Sequence, residues 1–301
     1  MQAMDKSDSI SVIRSQLQQS VFKLGIQQAQ NPYSKKVFEQ LTHCHTANTG
    51  FHLNRCNNAD CQHQLYQFHN CGNRHSPNCG GMKREQWLEN KTSELLPTAY
   101  YHVVFTLPHE LNGLMMGNRK TMFKLLFDAA SYTLLTLAKD PKWLGATPGI
   151  ISILHTWGQD LSFHPHIHCI VSGGGILGNE WITEKRKNKT YLFPQKVLLK
   201  TIKKIGFKQW NVDARAPFGG PLQVLEYLGR YTHKVAITAH RIIFINEETK
   251  TIRFKYKDYH ARGTNKMHKE MTLSIAEFNR RFEQHILPAG FVCAMKFSLR
   301  N

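Results

Sequence analysis

Two histidines, His166 and His168, stand one residue apart in the sequence FHPHIHCI at residues 163–170. The flanking residues are apolar and often β-branched, which predicts an extended strand. Side chains two positions apart on a strand point to the same face, so both imidazoles aim at one point while Ile167 enters the core. Imidazole is a common metal ligand, and the pair therefore predicts a site for a single metal ion.

A third ligand is predicted from the chain segment just before this pair. The residues on either side of QDLSF indicate two strands of a hairpin, and Gln159 has the parity to share a face with His166. Its side-chain oxygen could complete the metal site. His155 is a reserve ligand, and His164 is expected in the hairpin or behind the ligands.

Two tyrosines, Tyr227 and Tyr231, follow in the sequence PLQVLEYLGRYTHKVAI. Pro221 suits the first turn of a helix, and the spacing places both hydroxyls one turn apart on one helix face. A tyrosine with a pKa near ~10 is a poor nucleophile at neutral pH. Beside a metal ion that polarises a phosphoryl group, it could form a covalent phosphotyrosine. Ordinary core packing is the alternative for such a pair.

Cysteines are concentrated near the beginning of the chain. Five of the seven lie between Cys44 and Cys79, interleaved with five histidines. Because the polar start MQAMDKSDS is no secretion signal, this density predicts zinc rather than disulfides. Zinc can organise a segment that is too short to bury a core of its own. Reduced thiols without a metal are the alternative.

The chain is strongly basic, with 39 Lys and Arg against 21 Asp and Glu among 301 residues. Aromatic residues are interleaved with the basic ones after the histidine strand, which favours binding to a polyanion whose bases can stack. Lys203 and Lys204 belong to a basic cluster at helical spacing, and Arg230 and Lys234 flank Tyr231. These residues could hold phosphates, or they could be plain surface cations.

Two histidines around a hydrophobic residue, followed by paired tyrosines, resemble the motifs of the HUH single-strand nucleases. The chain is most similar to rolling-circle insertion-sequence transposases with two tyrosines and an N-terminal zinc-binding domain. The likeness covers residues 30–291 approximately and is carried by ELLPTAYYHVVFTLPHEL at 94–111, HTWGQDLSFHPHIHCIVSGGG at 155–175, YLGRYTHKVAIT at 227–238 and EFNRRFEQHILPAGF at 277–291.

The elements that must position these residues follow from the periodicity of the sequence. Strands are predicted near 100–106, 150–158, 166–172, 234–238, 241–246 and 251–256, and helices near 1–43, 83–96, 118–138, 196–206 and 274–285, with a further helix for the tyrosines. This order predicts an α+β fold, an HUH-type antiparallel sheet with helices on one side, preceded by a small Cys/His zinc-binding domain. The domains are expected at 1–97, helical and zinc-binding, and 98–301, catalytic and truncated or altered at its C-terminus.

The resemblance implies the ligands and roles of the site residues. Zinc is expected on Cys56, Cys61, Cys71 and Cys79, with His75 as a substitute, because Ser76 stands where relatives have cysteine. Mg or Mn is expected on His166, His168 and Gln159, with Tyr231 or Tyr227 as nucleophile.

The implied function is transposition by nicking and joining single-stranded DNA at transposon ends and target sites. No apolar run approaches the ~20 residues of a membrane span, which predicts a bacterial cytoplasmic protein at the nucleoid. Three alternatives stay open. They are a plasmid replication initiator or relaxase of the same nuclease class, a histidine-triad nucleotide hydrolase, and a non-catalytic zinc-dependent DNA-binding protein.

Overall fold

The computed structural model describes residues 6–58, 60–79, 85–86, 88–90, 95–184, 192–204, 206, 210–215, 223–224, 226–227, 235–258 and 268–297. The described helices are α1 (Lys6–Gln16), α2 (Lys23–Gln28), α3 (Pro32–Thr42), α4 (Asn112–Gly117), α5 (Arg119–Lys139), α6 (Gln195–Lys203) and α7 (Ile275–Glu283). The strands are β1 (Phe51–Arg55), β2 (Gln64–Phe68), β3 (Tyr100–Thr106), β4 (Thr147–Trp157), β5 (Phe163–Leu177), β6 (Glu180–Thr183), β7 (Asn211–Arg215), β8 (Ile242–Asn246), β9 (Thr251–Lys257), β10 (His268–Ser274) and β11 (Ala294–Phe297). Within these residues, no helix combines the length and apolar character that crossing a membrane requires.

The chain forms two compact units, and both are discontinuous in sequence. Unit 1 comprises Met1–Met82, Trp157–Ser162 and Val235–Leu287, and unit 2 comprises Lys83–Thr156, Phe163–Lys234 and Pro288–Asn301. Each compact unit is therefore assembled from segments that are far apart in the sequence. The predicted domain division at residue 97 stays a prediction.

The N-terminal helices and the C-terminal helix α7 share one apolar core in unit 1. Asn31 caps α3, because its side chain accepts a hydrogen bond from the backbone N–H of Ser34, and Pro32 occupies the first turn. The rings of Phe22, Phe38 and Phe282 then pack together, with centroids 5.5–6.1 Å apart. The helical character predicted for residues 1–43 is confirmed over α1–α3.

A three-stranded sheet in the order β10, β9, β8 completes unit 1. The strand predicted near 234–238 is wrong over its described residues, 235–238, which form no strand. Val235, Ala236 and Ile237 are buried, but the guanidinium of Arg241 donates a hydrogen bond to the Ala236 carbonyl, and a 3-10 turn follows. The apolar residues at 235–237 therefore reflect burial in the core and not pairing in a sheet. Strand β10 was not predicted, because most of its residues are exposed.

Unit 2 is built on a six-stranded sheet with the order β11, β4, β5, β3, β7, and with β6 paired to β5. Strand β3 pairs antiparallel with both β5 and β7. Helix α5 packs against β5, and α6 packs against β7. The α+β fold class predicted from the sequence is confirmed. Strands β3, β4 and β5, which carry the histidines described below, are adjacent in this sheet.

Candidate active site and zinc centre

Three imidazoles converge on one face of the sheet of unit 2. His166 and His168 lie on β5 and His155 lies on β4, and one ligand atom from each lies within 4.8 Å of the others. Ile167, between the pair on β5, is fully buried, as strand alternation requires. The cluster offers three nitrogen donors to a single metal ion.

His166 is held in the tautomer that suits a ligand. Its Nδ1 lies 2.6 Å from the backbone carbonyl oxygen of His164. A carbonyl can only accept, so Nδ1 carries the proton and donates it, which leaves the lone pair on Nε2. Metal-binding histidines in proteins typically show this arrangement. His164 therefore contributes through its backbone.

A fourth histidine, His102, was missed by the sequence reasoning. It lies on β3, opposite Ile170 of β5, and its Nε2 is 2.9 Å from Nδ1 of His168. Burial, reinforced by the positive charge of Arg215, lowers the pKa of His102 to about 4, so the ring is neutral at neutral pH. A lone histidine in the apolar run YYHVVF is the only signal that the sequence offers.

Tyr227 lies beside these histidines. Its hydroxyl is 3.1 Å from Nε2 of His102 and 3.5 Å from Nδ1 of His168. Its ring packs with the buried cluster of Tyr100, Ile153 and Ile170. A phenol that could act as nucleophile therefore stands next to a group that could bind metal. Tyr231, Arg230 and Lys234 lie outside the described residues.

Gln159, the predicted third ligand, does not lie on a strand. Strand β4 ends at Trp157, and the next five residues form a tight turn in which the Gly158 N–H donates to the Ser162 carbonyl at 2.8 Å. The backbone carbonyl of Gln159 accepts a hydrogen bond from the guanidinium of Arg241. Gln159 belongs to unit 1 and the histidines to unit 2, so its role as a ligand stays a prediction.

The cysteines of unit 1 divide into two groups. Sγ of Cys79 lies 3.0 Å from Sγ of Cys44 and 3.8 Å from Sγ of Cys71. Cys44, His45 and Cys79 also offer three ligand atoms within 4.8 Å of one another. Cys56 instead lies beside Asn58 and Cys61, and hydrogen bonds from the Asn58 backbone and from the Cys61 thiol lower the pKa of the Cys56 thiol.

The β1–β2 hairpin separates these two groups. Its register runs over five residue pairs, from Phe51 opposite Phe68 to Arg55 opposite Gln64. At about 3.4 Å per residue, the pairs at its two ends are about 14 Å apart. Cys56 follows the distal end, whereas Cys44 and Cys71 flank the open end. The four predicted ligands Cys56, Cys61, Cys71 and Cys79 therefore do not converge, and half-buried His75 lies in the turn between Cys71 and Cys79.

The donor set of the Cys44 group fits zinc. Hydrogen bonds from the thiols of Cys44 and Cys71 lower the pKa of Cys79, whereas hydrogen bonds to Cys71 and Cys79, together with burial, raise the pKa of Cys44. The three thiols thus cannot all ionise without a cation to compensate their charge. Zinc supplies that charge and binds thiolates at about 2.3 Å.

Comparisons with known proteins identify the family of the chain. A family model described as "Transposase zinc-binding domain" matches residues 13–107, and one described as "Putative transposase" matches residues 149–205 and 199–297. The chain is 38% identical over 295 residues to "Putative transposase y4qJ" of Sinorhizobium fredii, covering 85% of this chain and 72% of the relative. The chain belongs to the IS91-type transposase family.

A second relative of this transposase is "Transposase for insertion sequence element IS801" of Pseudomonas savastanoi pv. phaseolicola. The two are 28% identical over 275 residues, covering 81% of this chain and 64% of the relative. No solved structure matches the chain. The predicted family and its zinc-binding segment are confirmed, and membership indicates an enzyme that processes DNA.

Proposed function

We propose that this transposase cuts and joins single-stranded DNA through a 5′-phosphotyrosine, as a rolling-circle element requires. The observation that carries the proposal is the convergence of His155, His166 and His168 with the Tyr227 hydroxyl in one compact unit. A histidine-triad hydrolase would instead use His164, which is exposed and contributes its backbone carbonyl.

The three imidazoles would hold a divalent ion, Mg or Mn. When bound, such an ion polarises a phosphoryl oxygen and stabilises the charge that develops on the leaving oxygen. Three nitrogen donors bind the hard Mg ion weakly, and we expect Mn to bind more tightly. His155 supplies the third nitrogen donor of this proposed set, and Gln159 stays the further ligand predicted from the sequence.

The tyrosines carry the covalent step of the proposed reaction. The phenol oxygen of Tyr227 or Tyr231 attacks the scissile phosphorus while the bond from phosphorus to the 3′ oxygen breaks. The attacking hydroxyl gives up its proton and the leaving oxygen takes one up, so the products are a 5′-phosphotyrosine and a free 3′-hydroxyl. The second tyrosine allows another strand to be cut while the first stays attached.

Basic residues of unit 2 would bind the phosphates of the DNA strand. Lys203 at the end of α6 and Lys204 after it are both exposed. Arg230 and Lys234 are assigned to the same task from their position beside Tyr231 in the sequence. Contacts of this kind weaken with added salt, because each releases counterions from the nucleic acid. We place the protein in the bacterial cytoplasm, at the nucleoid.

A covalent-adduct assay tests the proposal. The protein is incubated with labelled single-stranded DNA from an element end and with Mn, and adducts are resolved on a denaturing gel. We expect an adduct that disappears when Tyr227→Phe and Tyr231→Phe are combined and that persists in the control Tyr132→Phe, at an exposed position on α5. An adduct that survives the double substitution would refute the assigned nucleophiles. DNA binding without cleavage in Mg or Mn would indicate a non-catalytic DNA-binding protein.

A further inference from the structure

The zinc-binding segment departs from a four-cysteine site at Ser76. Its Oγ lies 3.7 Å from Sγ of Cys44 and accepts hydrogen bonds from the backbone N–H groups of Asn78 and Cys79, both at 3.3 Å. Ser76 is 1% exposed, so its hydroxyl is turned into the cysteine cluster. A neutral hydroxyl is not among the usual protein ligands of zinc, which are thiolate, imidazole and carboxylate. Three thiolates alone leave the fourth position of a tetrahedral ion open.

His45 is placed to complete that tetrahedron. A ring nitrogen of His45 lies within 4.8 Å of Sγ of both Cys44 and Cys79. The other requirement of a histidine ligand is a partner that holds the tautomer, and Nδ1 of His45 lies 3.3 Å from the backbone carbonyl of Phe68. Nδ1 therefore carries the proton and Nε2 keeps its lone pair.

The backbone at His45 supports this placement. Its φ of +57° is in the left-handed region, which strains a residue with a Cβ. The conformation is fixed by the hydrogen bond from the His45 N–H to the His69 carbonyl at 3.1 Å. It reverses the chain just after α3, which lets two adjacent side chains, Cys44 and His45, reach the same cluster. Strain of this kind is typical of binding sites.

We propose that one zinc ion is bound by the thiolates of Cys44, Cys71 and Cys79 and by Nε2 of His45, and that Ser76 lines the site without binding the metal. Cys56 and Cys61, at the distal end of the hairpin, take no part. This proposal rests on the zinc-binding segment and is independent of the proposed DNA chemistry. Its failure would leave the tyrosine adduct unaffected.

Zinc content and X-ray absorption of the full chain test the proposal directly. We expect one zinc ion per chain, with three sulfur ligands at about 2.3 Å and one nitrogen at about 2.0 Å. Four sulfur ligands, or two zinc ions per chain, would overturn the assignment. So would a zinc-free protein with two thiols fewer than the sequence provides, because Cys44 and Cys79 would then form a disulfide.

Substitutions separate the proposed ligand from its neighbours. His45→Ala should weaken zinc binding by more than about 100-fold in competition with a chelator, since removing an outer-shell partner alone costs about 10–100-fold. The matched control is His43→Ala, at an exposed histidine two residues earlier, and it should bind zinc as the unmodified chain does. Combined Cys56→Ser and Cys61→Ser should also keep the ion.

A rescue experiment covers the case in which His45→Ala also disturbs the fold. Adding Ser76→Cys to His45→Ala should restore zinc binding with four sulfur ligands, because the new thiol would reach the position now taken by the Ser76 hydroxyl. Unchanged affinity in His45→Ala would overturn the role of His45. Loss of zinc from the protein with combined Cys56→Ser and Cys61→Ser would overturn the proposed ligand set and support the ligands predicted from the sequence.

Discussion

We expect His102 to control how tightly the histidine site binds the metal ion proposed for it. His168 can offer Nε2 to a metal only if its proton is on Nδ1, and Nε2 of His102 lies 2.9 Å from that atom. His102 is neutral, so it can accept this proton in a hydrogen bond. His102→Leu removes the acceptor while keeping an apolar group of similar size in a position that is 2% exposed.

The magnitude follows from the geometry of this contact. Loss of a partner behind a metal ligand weakens metal binding by about 10–100-fold, which corresponds to about 1.4–2.7 kcal/mol. Leucine fills the space, so water cannot easily replace the lost acceptor, and we expect the upper part of this range. His102→Gln retains an amide oxygen that can accept from Nδ1 of His168. The metal affinity of this variant should stay within about threefold of that of the unmodified chain, which is the variation expected between one neutral hydrogen bond and another.

Mn binding measured by calorimetry, without DNA, is the assay. His166→Ala provides the reference for a lost ligand, and thermal unfolding of each variant shows whether the fold is retained. Unchanged Mn affinity in a folded His102→Leu protein would refute the reasoning. Equal losses in His102→Leu and His102→Gln would also contradict it, because they would show that ring shape rather than the hydrogen bond matters.

Substitutions at three further positions test the packing and the ion pairs that support the two units. Gly175→Ala should destabilise unit 2 by about 2 kcal/mol or more in chemical unfolding, because the added Cβ would lie 2.5 Å from the backbone oxygen of Thr147. Ile167→Ala should cost about 3–4 kcal/mol and Ile167→Val about 1 kcal/mol, since this side chain is fully buried. Two arginines of α7 lower the pKa of Glu277 to about 2 from its ordinary 4.5, so the stabilisation is present above pH 4.5 and is lost as the pH falls toward 2. Glu277→Gln should therefore cost about 1 kcal/mol at pH 7, discounted for the partial exposure of the ion pair, and progressively less in unfolding measurements between pH 4.5 and pH 3.

Local spacing predicted the parts of the sites whose residues are close in sequence. His166 and His168 share a face because they are two residues apart on a strand, and β3 begins and ends where the pattern indicated, at Tyr100–Thr106. The contributions of His102 and His155 depend on which strands are neighbours and in which register. Neither property is encoded in the spacing of residues within a single segment. His102 was therefore missed, and His155 was predicted only as a reserve ligand.

The zinc ligands show the same limit in a different form. The resemblance implied the pairs at 56–61 and 71–79, whose members are close in sequence. An antiparallel hairpin instead brings together residues that precede its first strand and follow its second, here Cys44 and Cys71. The loop end, with Cys56, is carried away from them. A hairpin of five residue pairs is therefore long enough to keep Cys56 away from an ion that Cys44 and Cys71 could share.

The geometry of the histidine site therefore depends on the register of the strands that carry it. On β3 and β5, Val103, Phe105, Ile167 and Cys169 alternate with the histidines and are all buried. A slip of one residue between these strands would move the apolar side chains of one strand to the face that now carries the histidines and would turn His102 away from His168. Apolar packing on one face therefore fixes the polar geometry on the other. Strand register thus brings four histidines from three strands together, and the hydrogen bonds to the His164 carbonyl and to His102 then orient the rings of His166 and His168.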